Sequence, residues 1–250
     1  MLFAEQVGSG PPVVAVHGFT QTRRSWAPVT ERLSPHHRFT LVDAPGHGGS
    51  GEVRADLWRG GELLAQAGGR AAYLGYSMGA RLCLHLALRR PDLATTLILV
   101  GGHPGIVDPV ERERRHGDDD ALAGRVETEG VGRFVDWWLD QPLFSTLSIT
   151  DADRAERATN TAAGLASSLR LAGTGRQEPL WDRLPGLAMP TLIVAGELDV
   201  KFANLGREAA RAIGSNAQLV LIPGAGHACH LERPDAFCLV VADFLADANQ

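Results

Sequence analysis

Ser77, Asp199 and His227 are the side chains in this 250-residue chain whose types and settings suit proton transfer. Ser77 is the centre of Gly75-Tyr76-Ser77-Met78-Gly79, a Gly-x-Ser-x-Gly run. An apolar stretch, residues 71–74, precedes it, and Leu82 and Leu86 follow one helical turn apart, so strand, tight turn and helix meet at the serine. The two glycines remove side chains that would collide where the backbone reverses, leaving the serine oxygen standing at a helix N-terminus. A flexible Gly/Ser turn has the same spelling, so the partners decide.

Asp199 and His227 each come just after an apolar, β-branched run: residues 191–195 lead into Gly196-Glu197-Leu198-Asp199, and residues 218–222 into Pro223-Gly224-Ala225-Gly226-His227. In a parallel sheet, loops after strands emerge on one edge, where such folds bind their ligands, so the three residues can converge. His227, with an ordinary pKa of about 6.5, would accept the Ser77 proton, and Asp199 would fix the imidazole tautomer. Glu197 is the local rival of Asp199, which lies deeper in the loop; His230 and His103 are rivals of His227. After residues 13–16, another buried run, His17-Gly18-Phe19-Thr20 lets the chain fold over a strand end. The Phe19 amide can then point at the site, with the Met78 amide at the helix start as a second donor to a developing oxyanion. His17 itself reads as structural.

The elements that must position these groups alternate. Strand-like runs at 13–16, 39–42, 71–74, 95–100, 191–195 and 218–222 are separated by helical stretches at 26–33 and 56–67, and a final helix spans 234–245. The pattern predicts an α/β fold: a mainly parallel sheet covered by helices on both faces. Between about 101 and 185 there is no convincing strand. Helical stretches at 109–126, 130–139 and 155–171 predict an inserted helical lid, giving a first core segment at 1–102, a lid at 103–185 and a second core segment at 186–250. Phe134, Trp137 and Trp138 are the aromatic concentration of that lid. Asp118-Asp119-Asp120 reads most simply as a solvated helix cap or turn.

Composition narrows the function classes. A net charge of −5, with basic residues beside acidic ones as in Glu111-Arg112-Glu113-Arg114-Arg115, offers no electrostatic case for nucleic-acid binding. The glycine-rich loop at 43–50 lacks both the Gly-Lys-Ser/Thr ending of a phosphate cradle and the order of a dinucleotide site. Cys83, Cys229 and Cys238, an odd number without metal-ligand spacing, predict buried thiols in a reducing compartment. No apolar run approaches the roughly 20 residues needed to span a bilayer, so a cytoplasmic location without membrane association is expected. No motif requires a metal or organic cofactor, and oligomeric state is not legible, a monomer being compatible with everything above.

The order Ser, Asp, His fits an α/β-hydrolase fold. Within that superfamily the chain resembles the 2-succinyl-6-hydroxy-2,4-cyclohexadiene-1-carboxylate (SHCHC) synthases of menaquinone biosynthesis. The residues carrying the resemblance are His17-Gly18-Phe19, Pro45 to Ser50, Gly75 to Arg81, Gly101-Gly102-His103-Pro104-Gly105, Glu111 to Arg115, Asp136-Trp137-Trp138 with Gln141-Pro142, Gly173 to Leu184, Gly196-Glu197-Leu198-Asp199 with Lys201-Phe202, and Gly226-His227. The resemblance implies a lyase that removes a ring proton alpha to a ketone so that pyruvate departs. Ser77 is then a general base, and the Phe19 and Met78 amides form the oxyanion hole. It further implies a small polycarboxylate substrate met by Arg81, one helical turn after Ser77, by Arg115 from the lid, and by Tyr76, Trp137, Trp138 and Lys201. Two departures stand out: Ala80 replaces a common glycine, and Trp138 stands where a tyrosine is frequent, so that an indole N–H replaces a hydroxyl. A serine hydrolase acting on esters or carbon–carbon bonds would use the same three residues, and a noncatalytic small-molecule receptor is the alternative from another class.

Overall fold

The computed structural model describes residues 1–248. Seven strands form one sheet: β1 (Ala4–Val7), β2 (Pro12–Val16), β3 (Arg38–Val42), β4 (Ala71–Tyr76), β5 (Ala94–Val100), β6 (Thr191–Gly196) and β7 (Ala217–Ile222). Their order is β1-β3-β2-β4-β5-β6-β7, with β1 antiparallel to β3 and the other pairs parallel. Apolar runs such as AAYLGY in β4 and TLIVAG in β6 are buried along their whole length because helices cover both sheet faces.

Among the described residues ten α-helices accompany the sheet, besides short 3-10 turns: α1 (Ala27–Leu33), α2 (Leu57–Gly68), α3 (Met78–Arg89), α4 (Pro109–Glu129), α5 (Val131–Leu139), α6 (Asp151–Arg157), α7 (Ala162–Ala172), α8 (Val200–Ile213), α9 (Cys229–Glu232) and α10 (Pro234–Asp247). On one face α2, α3 and α8 pack Leu64, Leu86 and Ile213 against Tyr73 and Leu97. On the other, α1 and α10 pack Val29, Phe237 and Val241 against Phe39 and Ile98. Burying each such aliphatic or aromatic side chain stabilises the fold by about 1.5–3 kcal/mol, before the ordering cost. Helix α8, which the sequence pattern did not single out, starts at Asp199, whose Oδ1 accepts the Phe202 N–H at 3.2 Å.

Between β5 and β6 run α4 to α7, of which α4, α5 and α7 share a small core of Val126, Phe134, Leu165 and Leu169. Two expectations for this region are corrected. The stretch 155–171 is not one helix: α6 stops at Arg157 and α7 restarts at Ala162, because the Thr161 hydroxyl caps the Gly164 N–H at 3.0 Å while the Asn160 side chain turns into a neighbouring loop. Nor is Asp118-Asp119-Asp120 a solvated cap or turn. It lies in the middle of the 21-residue α4, and Asp119 is fully buried, since each helical step of about 100° swings one of three consecutive side chains inward.

Five histidines sit in the interior or largely buried with their pKa values pushed down by desolvation: His17, His85 and His103 to about 4, His47 and His230 to about 3. In the unfolded chain each titrates near 6.5, so between pH 6.5 and 4 unfolding takes up protons that the folded state refuses. Their contribution to stability is therefore complete above about pH 6.5 and declines as the pH falls below it. Urea midpoints should hold nearly level above about pH 7 and drop steadily from about pH 6.5 to pH 5; a flat midpoint over that lower range would mean that the folded protein protonates these rings.

Candidate active site

Ser77 stands between β4 and α3 with φ 51° and ψ −107°, a conformation that side-chain-bearing residues rarely adopt. Such a geometry costs on the order of 1–3 kcal/mol and persists only where its surroundings enforce it. The Ser77 N–H donates to the Val100 carbonyl at 2.8 Å and its own carbonyl accepts from the Arg81 N–H at 3.2 Å. Gly79 lets α3 begin hard against the end of β2: a Cβ there would run into the carbonyl oxygens of Val16 and His17.

The structure brings the three singled-out side chains into one line. Ser77 Oγ is 3.2 Å from His227 Nε2, and His227 Nδ1 is 2.7 Å from Asp199 Oδ2. A carboxylate only accepts, so Nδ1 carries the proton and Nε2 is left to accept from the serine hydroxyl. Phe202 packs on the imidazole at 4.4 Å between centroids and Tyr76 lies at 5.4 Å, so the ring is held from two sides. The rivals do not take these places, although His103 lines the cavity beside Ser77. Glu197 accepts the Gly224 N–H at 3.0 Å on the surface, His230 is buried behind Tyr76, and His103 Nδ1 accepts the Gly105 N–H at 2.9 Å.

Phe19 and Met78 flank Ser77 on a cavity of about 210 Å³, and neither amide has a protein acceptor among the described residues. The loop around Phe19 is fixed on both sides. His17 Nε2 accepts the Ala44 N–H at 3.0 Å while Nδ1 donates to the Gly18 carbonyl at 2.8 Å, a neutral tautomer consistent with its lowered pKa. The Gly18 N–H donates to Gln21 Oε1 at 2.9 Å. Thr20, at φ 66°, is gripped from the end of α6: Arg157 donates to its hydroxyl and Asn160 Nδ2 to its carbonyl, both at 2.7 Å. Two residues on, the Thr22 hydroxyl meets Glu156 at 2.5 Å. The segment 156–160 thus ties the helices between β5 and β6 to the loop bearing the candidate donor. Sequence reasoning missed this contact because it joins residues more than 130 positions apart.

The cavity is cationic inside a chain of net charge −5. Arg81, Arg114, Arg115 and Lys201 line it against two carboxylates, Glu111 and Asp119. Arg81 is buried and donates to the Ala172 carbonyl at 2.7 Å; desolvation first, then the neighbouring Arg115, push its pKa down to about 10, so it remains charged at neutral pH. Trp138 also lines the cavity, and its buried indole N–H has no partner among the described residues. Lys201 stands exposed at the rim, 5.8 Å from the Phe202 ring.

Two expected contacts are not in the cavity lining. Tyr76 shares with Leu74 the sheet face covered by α1 and α10, because strand side chains alternate, and it packs beneath His227 and against His230 at 4.3 Å. Trp137 is about 100° around α5 from Trp138 and stacks instead under the Arg125 guanidinium at 3.9 Å, outside the site. Among the described residues no cluster of three or more His, Cys, Asp or Glu could hold a metal ion, and no helix is long and apolar enough to cross a membrane.

The alpha/beta hydrolase family profile matches residues 13–238. The 2-succinyl-6-hydroxy-2,4-cyclohexadiene-1-carboxylate synthase of Klebsiella pneumoniae subsp. pneumoniae is 31% identical, with 98% of this chain and 100% of the relative covered. The synthase of the same name from an Enterobacter species is 32% identical, covering 94% of this chain and 92% of the relative. Among solved structures, MenH from S. aureus superposes with a TM-score of 0.93 at 29% identity, 99% of each chain being covered. A malate-bound esterase from Thermogutta terrifontis follows the same fold with a TM-score of 0.84 at 25% identity, over 100% of this chain and 94% of that one. A profile that spans most of the chain, joined to full-length relatives above 30% identity, leaves one conclusion: the chain belongs to the alpha/beta hydrolase family, in the same group as the SHCHC synthases.

Proposed function

We propose that the protein is a lyase of menaquinone biosynthesis that eliminates pyruvate from 2-succinyl-5-enolpyruvyl-6-hydroxy-3-cyclohexene-1-carboxylate to give SHCHC. The observation that carries this reading beyond the family is the conjunction of a Ser77-His227-Asp199 line with a cavity lined by four cationic side chains. A polycarboxylate needs those charges; a small neutral ester does not.

In this mechanism the Ser77 proton passes to His227 Nε2, and Asp199 stabilises the resulting imidazolium. The serine oxygen takes the ring proton alpha to the succinyl ketone. The electron pair moves onto the ketone oxygen, where the Phe19 and Met78 N–H groups meet the growing negative charge. When that pair returns, a double bond forms at the deprotonated carbon, the ring double bond already present shifts toward the carbon bearing the enolpyruvyl group, and the carbon–oxygen bond there breaks. The departing enolate takes the proton held on His227 and becomes pyruvate. No water attacks and no acyl-serine forms. Arg81, Arg115 and Trp138 hold the carboxylates, with Lys201 at the mouth, and the reaction runs in the cytoplasm on a substrate too charged to enter a bilayer.

Supplying that cyclohexene substrate and following pyruvate and diene absorbance together tests the assignment. Equimolar appearance of both is expected. Cleavage of simple esters without any pyruvate release would instead make the protein a serine hydrolase.

A further inference from the structure

A carboxylate inside a site built for carboxylates calls for a reason. Asp119 is wholly buried in the middle of α4, yet it lines the cationic cavity. Its Oδ1 receives the Arg115 Nε–H at 2.8 Å, and its Oδ2 receives the Gly175 N–H at 2.9 Å. The turn after α7 is shaped around it: a Cβ at Gly173 would press on the Asp119 carboxylate, and one at Gly175 would strike the backbone of His116. That same turn begins at Ala172, whose carbonyl receives Arg81. Both cations of the inner cavity are therefore referred to one short segment, Arg81 from the core helix α3 and Arg115 from the lid helix α4.

Arg115 needs such an anchor. Its side chain is one-third exposed, and a free arginine loses up to about 2 kcal/mol of rotamer entropy when a ligand immobilises it. Docking Nε on Asp119 leaves the two terminal nitrogens without a protein acceptor among the described residues, which is the end of the fork that grips a carboxylate from two N–H groups. The Oδ2 bond to Gly175 in turn holds the aspartate in one rotamer.

We propose that Asp119 is a positioning residue that pre-orients Arg115, and through the Gly173–Gly175 turn sets it in register with Arg81, so that the pair is spaced for a polycarboxylate before one arrives. The inference rests on the polycarboxylate reading above and asks of it something that neither arginine alone explains.

The test is a double-mutant cycle in the full-length protein: wild type, Asp119→Asn, Arg115→Gln and the double variant, each titrated calorimetrically with tricarballylate, an unreactive tricarboxylate, and each assayed for pyruvate release. Asp119→Asn should weaken tricarballylate binding and raise KM about tenfold, with kcat within about threefold, because it removes orientation of a binding group and not a group in the chemistry. Arg115→Gln should weaken binding more, and the double variant should be no worse than Arg115→Gln, since an orienter without its arginine has nothing to orient. Strictly additive losses, or tighter binding by Asp119→Asn, would overturn the proposal. Should Asp119→Asn fail to fold, the smaller Asp119→Ser takes its place in the cycle: a loss of about tenfold that vanishes in the Arg115→Gln background would support the proposal, and wild-type affinity or strictly additive losses would sink it. A wild-type protein that binds tricarballylate but releases no pyruvate would count against the proposed reaction and leave the cycle intact as a binding measurement.

Discussion

Replacing Ser77 by alanine should lower kcat for pyruvate release by about 10³ to 10⁴ while leaving KM within a few-fold, because a positioned general base contributes in that range and the hydroxyl adds little to ground-state binding. His227→Ala should cost a similar factor, and the double variant should be little worse than either, since in the proposed mechanism Ser77 and His227 work as one proton-transfer unit across their 3.2 Å contact. Stability should move the other way for one substitution. Ser77 holds φ 51°, so Ser77→Gly should relieve part of the backbone strain and raise the unfolding free energy by about 1 kcal/mol in urea titrations, even as activity disappears. A Ser77→Ala protein that keeps a tenth or more of wild-type kcat would remove the serine from the proposed chemistry. A Ser77→Gly protein less stable than wild type would mean that the hydroxyl, and not the elbow, carries the local structure.

The second large effect is expected at Arg81. It is buried, charged and bonded to the Ala172 carbonyl, and it already carries a desolvation cost that only a bound anion can offset fully. Arg81→Gln should lower kcat/KM for the polycarboxylate by about 10² to 10³, the range seen when one partner of a buried charge-assisted pair is removed. Cleavage of a neutral p-nitrophenyl ester, to whatever extent the Ser77-His227 pair supports it, should change less than threefold. Global stability should stay within about 1 kcal/mol of wild type, because the lost hydrogen bond is balanced by a charge no longer held away from water. Equal losses on both compounds would assign Arg81 to holding the elbow helix. Arg81→Lys should rescue little, since a lysine cannot present two parallel N–H groups.

The elements that place the proposed machinery were written in local chemistry. A Gly-x-Ser-x-Gly run between a strand and a helix has few conformations open to it, and Gly79 is there because α3 starts in contact with the carbonyls at the end of β2. Apolar β-branched runs ending just before Asp199 and His227 put both on the edge of a parallel sheet where Ser77 also emerges, and Asp199 in addition caps α8. These features depend on residues within a few positions of one another, so they survive reading in one dimension.

What the sequence by itself determined, then, was the α/β architecture, the strand ends and the identity of the residues meeting there, because hydrophobic period and turn chemistry are properties of short segments. Which face each neighbour presents was decided only by the folded whole. Tyr76 and Ser77 are adjacent, and so are Trp137 and Trp138, yet in each pair one member turns to the cavity and the other packs elsewhere. Asp119 carries no mark in the sequence distinguishing it from Asp118 or Asp120, and only the packing of α4 against the turn after α7 does so; the grip of Arg157 and Asn160 on Thr20 likewise joins segments more than 130 positions apart. Facing and burial are set by how whole elements rotate to close their shared cores, and that balance is struck between residues far apart in the chain, where no local pattern records it.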